Sequence, residues 1–130
     1  IDLHVDVPAV ETMAMLAPAD AEPSATVATR VAKARMMQTE RYATMKHAAR
    51  TNAEISGEAL QQIVALDAAG RTLLEDANMR LKLSMRGLTR VLRVARTIAD
   101  LAGEAQVSRI HLAEALSYRS QSQGRFLEVA

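Results

Sequence analysis

Cysteine is absent from the 130 residues, which excludes disulfide bonds and zinc sites with cysteine ligands. Aromatic residues are scarce too, at one Phe, two Tyr and no Trp, so the chain has no aromatic platform for stacking single-stranded nucleic acid. No apolar run approaches the roughly 20 residues of a membrane span, and no signal peptide opens the chain. These absences fit a reducing compartment, and we expect a cytoplasmic protein with no membrane partner.

The residues that are present favour helices. Ala, Val, Leu, Ile and Met dominate the 49% of apolar residues, and this mixture favours helices over sheets. The net charge is only +1, but it is unevenly spread. Residues 1–29 hold five acidic residues and no Lys or Arg, whereas residues 30–130 hold 16 Lys or Arg against 10 Asp or Glu. The expected helical body is therefore mildly basic, which does not by itself indicate nucleic acid.

The pattern divides the chain into three parts. Residues 1–23 begin with "IDLHVDVP", where apolar and polar residues alternate, and this period of two predicts a strand followed by a linker. Residues 24–119 are predicted to form a mainly α bundle of about five helices, and residues 120–130 a tail. A single strand cannot pair its own backbone groups, and the chain lacks an initiator Met. We therefore expect a fragment whose strand is the last one of a sheet located upstream.

Capping residues and apolar periodicity set the predicted helix bounds. The first helix is expected at about residues 25–49, the fourth at about 85–102, and the last is expected to end near Tyr118. Gly103 is expected to end the fourth helix. The predicted N-cap residues are Ser24, Ser56, Asp67, Ser84 and Ser108. The seven Met residues are predicted to fill the core more than to line a binding groove.

The fourth helix, "LSMRGLTRVLRVARTIADLA", carries a stripe of arginines. At 100° per residue Arg86, Arg90 and Arg93 share one side, opposite the apolar face. Arg86 lies in the first turn, where the helix dipole disfavours a cation but favours a bound anion beside it. Arg96 lies to one side and can reach Asp100 one turn later. A solvated face, a phosphate and an acidic protein remain three interpretations of this arginine stripe, by which we mean Arg86, Arg90 and Arg93.

Other polar residues give weaker signals. His4, His47 and His111 are far apart and have no metal-type spacing, so we predict no metal site. The cations of the first long helix spread around its whole circumference, which favours a solvated surface over a DNA-binding face. They are Arg30, Lys33, Arg35, Arg41, Lys46 and Arg50.

Several segments, in this order, resemble the Mg-chelatase-like AAA+ ATPases of the competence-protein ComM type, also called YifB-like. The segments are "IDLHVDVP", "RVAKARMMQ", the pair Asn52–Ala53, "LDAAGRTLL", "LSMRGLTRVLRVARTIADL" and "IHLAEALSYR". The resemblance covers roughly residues 1–119, and "RVLRVARTIADL" is its most specific signature. It implies the C-terminal lid of such an ATPase, a helical bundle, together with the last strand of the ATPase core.

The resemblance also implies roles for the arginine stripe. Arg86 matches the second-sensor arginine that contacts the γ-phosphate of ATP, and Arg90 is expected to support it or to face the next subunit. Arg93 is expected to contact nucleic acid or a neighbouring subunit. The implied cofactors of the full-length protein are ATP and Mg²⁺. The implied partners are the AAA+ core of the same chain, the other subunits of a homohexamer, and DNA, whose branch migration serves natural transformation.

The chain departs from a whole family member because it has no G-x-x-x-x-G-K-[ST] loop, no acidic Walker B strand and no Asp-Arg before Ile1. Alone it is expected neither to bind ATP well nor to hydrolyse it, so no catalytic residue is assigned. Two alternatives stay open. One is a helical adaptor or DNA-binding module that uses the arginine stripe, and the other is the lid of a magnesium-chelatase-type motor that inserts metal.

Overall fold

A computed structural model describes the backbone of residues 1–128 and the side chains of residues 1–119. Helices dominate the described backbone, which contains no strand, so the predicted mainly α bundle is confirmed. The elements are α1 (Thr12–Leu16), α2 (Ser24–Thr44), a 3-10 turn (Asn52–Glu54), α3 (Gly57–Val64), α4 (Ala68–Leu81), α5 (Met85–Leu101) and α6 (Arg109–Glu128).

Helix α5 is the central element, because it contacts α2, α3, α6 and the 3-10 turn, while α4 packs on α6. Its buried face repeats every four residues through Val91, Ala95 and Ala99, which are all 0–1% exposed. The small alanines let α6 approach closely with Leu112 and Ala115. The apolar face of α5 therefore lies inside the bundle.

Two of the predicted N-cap residues accept the expected hydrogen bond from the first turn of their helix. The Oγ atom of Ser84 accepts a hydrogen bond from the Gly87 N–H at 3.1 Å, and the Oδ1 atom of Asp67 accepts one from Gly70 at 2.7 Å. Ser56 occupies the N-cap position of α3 without a side-chain cap, and Ser24 is the first residue of α2 rather than its cap. The start of α5 is thus fixed by a side chain that the sequence identifies.

Two helix ends differ in how well the sequence marks them. Gly103 ends α5 as predicted, with φ +76°, and the Glu104 N–H donates to the Ala99 carbonyl at 2.9 Å. Helix α2 stops at Thr44, short of the predicted residue 49, because Lys46 adopts a left-handed conformation with φ 52°. No glycine marks that position, so the early end leaves no signal in the sequence. Helix α6 continues past the predicted end at Tyr118 to Glu128.

The predicted N-terminal strand over residues 1–7 is wrong. Ile1, Val5 and Val7 are 83%, 65% and 87% exposed, and this segment forms no strand. Alternating residues fit a sheet only when a second strand accepts their backbone bonds, and the described chain offers none. The segment instead lies against α6, where the His4 N–H donates to the Tyr118 carbonyl at 3.2 Å.

The methionine prediction is also wrong, since most of these side chains lie on the surface. Five of the seven are 62–78% exposed, namely Met13, Met15, Met36, Met79 and Met85. Only Met37 and Met45 are half-buried. Alanine, valine and leucine fill the bundle instead, and an unbranched Met adds little where small side chains already pack closely.

Helix α2 is packed over only part of its length. Its buried residues are Ala34, Gln38 and Tyr42, and every residue from 24 to 33 is exposed. At a rise of about 1.5 Å per residue, roughly 15 Å of helix extends beyond the bundle. We call residues 24–33 the overhang of α2. Within the described residues, no helix combines the length and the apolar character that crossing a membrane requires.

Candidate functional site

The three arginines of the stripe have different surroundings, and Arg86 is the exposed one. It is the second residue of α5, next to the capped Gly87. Within the described residues its guanidinium makes no hydrogen bond or ion pair. Arg86 therefore presents a full positive charge to solvent at a helix start that Ser84 holds in place.

Arg90 contacts the N-terminal segment. Its Nε atom lies 3.0 Å from Oδ1 of Asp2, and its Nη1 atom donates to the Ile1 carbonyl at 3.2 Å. Arg119, from α6, donates to the same carbonyl at 3.2 Å. Guanidinium groups from two helices thus converge on one oxygen atom.

Arg93 is half-buried and holds a loop. Its Nε atom donates to the carbonyl of Ile55 at 2.7 Å, between the 3-10 turn and α3. The Ile55 side chain is 0% exposed. The predicted contact of Arg93 with nucleic acid or another subunit is not tested by this arrangement, but one of its donors is already used inside the fold.

The sequence gives no role to Arg119, and Gly87 explains how this side chain reaches α5. A Cβ atom placed on Gly87 would lie 3.2 Å from Nη2 of Arg119 and 3.5 Å from the Ser84 hydroxyl. The missing side chain leaves room for the guanidinium over the first turn of α5. Periodicity could not reveal this contact, because the two residues are on different helices; the only signal was that Arg119 closes the segment "IHLAEALSYR".

A second cluster of polar residues lies inside the bundle, around Asp100. Its side chain is 0% exposed and pairs with Arg96, one turn earlier, at 3.0 Å. The Arg41 guanidinium, from α2, binds the same carboxylate through both of its oxygens. The predicted Arg96–Asp100 pair is confirmed. The predicted solvated position of Arg41 is wrong, because its guanidinium turns inward and its side chain is only 17% exposed.

Asn52 connects this cluster to the 3-10 turn. Its Oδ1 atom accepts a hydrogen bond from the Tyr42 hydroxyl at 2.6 Å, and its Nδ2 group donates to Asp100 at 2.9 Å. The same amide donates to the Thr97 hydroxyl at 3.0 Å. We call these residues the buried network, which joins α2, the 3-10 turn and α5. Its members are Arg41, Tyr42, Asn52, Arg96, Thr97 and Asp100.

Arg96 is almost wholly enclosed, at 1% exposure. Besides Asp100, its guanidinium binds three backbone carbonyls, those of Ile63 (3.2 Å), Glu104 (2.6 Å) and Ala105 (2.8 Å). Its Nε atom is buried and has no hydrogen-bond partner among the residues that the structure describes. Burial lowers the pKa of Arg96 below its ordinary value, and the nearby Asp100 carboxylate only partly offsets this effect.

The other two titratable members respond to burial in different ways. Burial acts to lower the pKa of Arg41, but the hydrogen bonds and charge of Asp100 outweigh it, so this pKa lies above its ordinary value. Burial raises the pKa of Tyr42, because the phenolate would lose its hydration. With two arginines and one aspartate, the buried network carries one excess positive charge. We assign it a structural role, because its donors and acceptors bind one another and the backbone.

A groove of about 780 Å³ separates α2 from the end of α5. Its walls include Arg30 and Lys33 from the overhang and Leu101 beyond the network. Arg30 is paired with Glu22 at 2.9 Å on the exposed rim. Among the described residues no three His, Asp or Glu side chains lie close enough to hold a metal ion. His111 instead accepts a hydrogen bond from the Ser108 N–H at 3.0 Å and so caps the start of α6.

The sequence of this chain is similar to a known protein family and to several curated proteins. A family model described as magnesium chelatase, subunit ChlI C-terminal, matches residues 21–119. Competence protein ComM of Haemophilus influenzae is 38% identical over 120 residues, covering 92% of this chain and 22% of the relative. The uncharacterized protein YifB of Salmonella typhimurium is 41% identical over 99 residues, covering 76% and 18%. The uncharacterized protein YifB of Escherichia coli is 38% identical over 99 residues, with the same coverage. This chain therefore spans about a fifth of the length of these curated relatives.

Proposed function

Because this chain belongs to the family of C-terminal regions of the magnesium chelatase subunit ChlI, we propose that it is the lid domain of an AAA+ ATPase of the ComM type. In this proposal Arg86 binds the γ-phosphate of ATP as the second-sensor residue. The lid then couples hydrolysis to the remodelling of DNA by branch migration in natural transformation. The word competence in the name of the Haemophilus influenzae relative supports this activity.

The observation that carries the proposal is the position of Arg86. It is exposed and makes no ion pair among the described residues, whereas Arg90 and Arg93 both have partners. An unpaired arginine in the first turn of a helix is disfavoured by the helix dipole by about 0.3–1 kcal/mol. A phosphate beside it reverses the sign of that interaction, because an anion is favoured at the same place.

The residues present fit a part of a nucleotide site. Arg86 can hold phosphate oxygens through its planar, permanently charged guanidinium, but the chain has no phosphate-binding loop and no magnesium-binding acid cluster in its described part. When bound, ATP supplies the phosphoryl group whose transfer drives such motors. The AAA+ core of the same chain would hold the rest of the nucleotide and Mg²⁺, within a homohexamer.

The buried network supports this role by fixing the helix that carries Arg86. Arg96 and Asp100 tie the second half of α5 to α2 and to the backbone of the last turn of α3. Ser84 fixes its first turn. A phosphate bound at Arg86 therefore acts on a helix that is anchored at both ends, and a displacement of α5 carries the packed helices with it.

The main alternative is a helical adaptor that binds DNA through the arginine stripe. Such a surface needs several free cations to release counterions from the phosphate backbone. Arg93 donates to Ile55 inside the fold, so only Arg86 and Arg90 remain for such a surface, and Arg90 would first have to exchange its contacts with Asp2 and Ile1. A chelatase-type motor that inserts metal uses the same lid and differs in its partners.

The test is the ATPase activity of the full-length protein with Arg86→Ala, and Arg109→Ala serves as the matched control. Arg109 is also an exposed arginine in the first turn of a helix. We expect Arg86→Ala to lower turnover at least about 100-fold while ATP still binds, the scale for one lost transition-state donor. Arg109→Ala should leave turnover unchanged.

Unchanged turnover in Arg86→Ala would remove Arg86 from the γ-phosphate. DNA affinity, measured on the same variants, separates the adaptor alternative. An adaptor predicts that Arg86→Ala, Arg90→Ala and Arg93→Ala weaken DNA binding by similar factors and each make its salt dependence shallower. A lid predicts nearly unchanged DNA affinity for Arg86→Ala.

A further inference from the structure

We propose that Arg119 and Arg90 form, beside Arg86, a second pair of donors for the phosphate chain of the same nucleotide. This inference rests on the proposed function and extends it to α6. In the structure the two guanidiniums bind the Ile1 carbonyl and the Asp2 carboxylate. The phosphate oxygens replace these acceptors when the nucleotide binds.

The first argument is the convergence of two helices on one oxygen atom. Arg90 from α5 and Arg119 from α6 each donate to the Ile1 carbonyl at 3.2 Å. Two cationic donors that point at one position form a geometry that suits an oxygen with more negative charge than a carbonyl carries. Arginine hydrogen bonds to phosphate are shorter and stronger than those to a neutral acceptor.

The second argument is the weakness of the contacts that would be exchanged. The Asp2 side chain is 46% exposed and that of Arg90 23% exposed, and ion pairs so open to water contribute little. The carbonyl of Ile1 belongs to a segment with exposed side chains and no strand. A multiply charged phosphate chain can therefore displace both of these acceptors from Arg90 at small cost, whereas it could not displace the acceptors of Arg93 or Arg96 inside the fold.

The third argument is the space over Gly87. The Nη2 atom of Arg119 would lie 3.2 Å from a Cβ atom at this position, so the guanidinium is next to the backbone that follows Arg86. Helices α5 and α6 pack against each other, which holds the two arginines together as one surface. The residue that reaches this surface from α6 is thus placed by packing rather than by the helical periodicity of α5.

The test uses the full-length protein and equilibrium binding of a non-hydrolysable ATP analogue and of AMP. The variants are Arg119→Ala, Arg119→Lys, Asp2→Asn and the control Arg109→Ala on the same helix. Arg119→Ala should weaken binding of the analogue about tenfold, the scale of one charge-assisted hydrogen bond, and affect AMP less. Arg119→Lys should recover part of the loss, because it restores the charge without the planar fork. Asp2→Asn should tighten binding of the analogue, since it removes the competing carboxylate.

Thermal unfolding without nucleotide identifies a merely structural Arg119. If Arg119→Ala lowers the melting temperature but matches Arg109→Ala in its affinity for the analogue, the inference is overturned. Turnover of Arg86→Ala distinguishes this failure from that of the proposed function. A loss of turnover in Arg86→Ala with normal binding in Arg119→Ala rejects only the role of Arg119. No effect of either variant rejects both.

Discussion

Arg96 and Asp100 lie one turn apart on α5, 3.0 Å from each other, and both side chains are closed off from solvent, at 1% and 0% exposure. A buried ion pair of this kind gains little over an apolar pair, because both charges lose their hydration. Here the second arginine, Arg41, enters from α2 and shares the carboxylate. The pair therefore determines which helices meet at this point. Its contribution to stability becomes visible when one member is removed, because the remaining charge is then buried without a partner.

Removing the charge of Asp100 is expected to destabilise the protein strongly. Asp100→Asn leaves the guanidiniums of Arg41 and Arg96 buried without a counter-charge, so we expect a loss of about 3–5 kcal/mol in the free energy of unfolding. Chemical denaturation of the chain measures this loss. Glu75→Gln, an exposed position in the middle of α4, should change stability by less than about 0.5 kcal/mol. Equal effects of the two variants would contradict the role assigned to the buried network.

Gly87, within α5, and Gly103, just after its end, are expected to respond in opposite ways to alanine. Gly103 has φ +76° and nothing within 4 Å of an added Cβ atom, so Gly103→Ala should cost about 1–2 kcal/mol through backbone strain alone. Gly87 is helical, and Gly87→Ala should gain up to about 1 kcal/mol in helix propensity. Its new methyl group meets the flexible end of Arg119, which can move aside. Thermal unfolding of both variants checks the signs, and a similar loss at both positions would show that Arg119 cannot yield.

Tyr42 is expected to make the protein sensitive to alkali. Burial raises its pKa in the folded state, so the folded protein holds this proton more tightly than the unfolded chain does. The resulting stabilisation is complete below the ordinary tyrosine pKa of about 10 and disappears as the pH rises through the higher folded-state pKa. Stability measured from pH 8 upward should therefore fall above about pH 10, and Tyr42→Phe should flatten that fall. If stability falls as steeply with rising pH in Tyr42→Phe as in the unsubstituted protein, a group other than Tyr42 causes the fall.

The sequence predicts those parts of the fold that depend on near neighbours. The caps at Ser84 and Asp67, the glycine end of α5 and the Arg96–Asp100 pair all lie within a few residues of their partners. Each follows from helical geometry without knowledge of the bundle. The same geometry places the arginine stripe on one side of α5, although it does not distinguish an exposed arginine from one with a partner.

The remaining contacts depend on residues that are distant along the chain. Arg41 and Asp100 are 59 positions apart in the sequence, and Asn52 and Thr97, which share a hydrogen bond, are 45 positions apart. No periodic pattern indicates which cation of α2 turns inward, so the sequence predicts only the Arg96–Asp100 pair of the buried network and wrongly favours a surface position for Arg41. The contact of Arg119 with the first turn of α5 was missed for the same reason. The prediction of an N-terminal strand is wrong for a different reason. Alternating apolar and polar residues specify which side chains share a face, but they do not supply a partner strand.

The overhang of α2 extends far enough from the bundle that a small tilt of the helix displaces its tip by several ångströms. The buried residues of the helix, which we call its clamp, lie between Ala34 and Tyr42, and the ten positions before them, residues 24–33, are exposed. With a rise of about 1.5 Å per residue, a tilt of about 10° at the clamp moves Ser24 by about 3 Å. The clamp includes Tyr42, which belongs to the same buried network as α5. A shift of α5 that tilts α2 at this clamp would therefore displace the tip of the overhang farther than the clamped residues themselves.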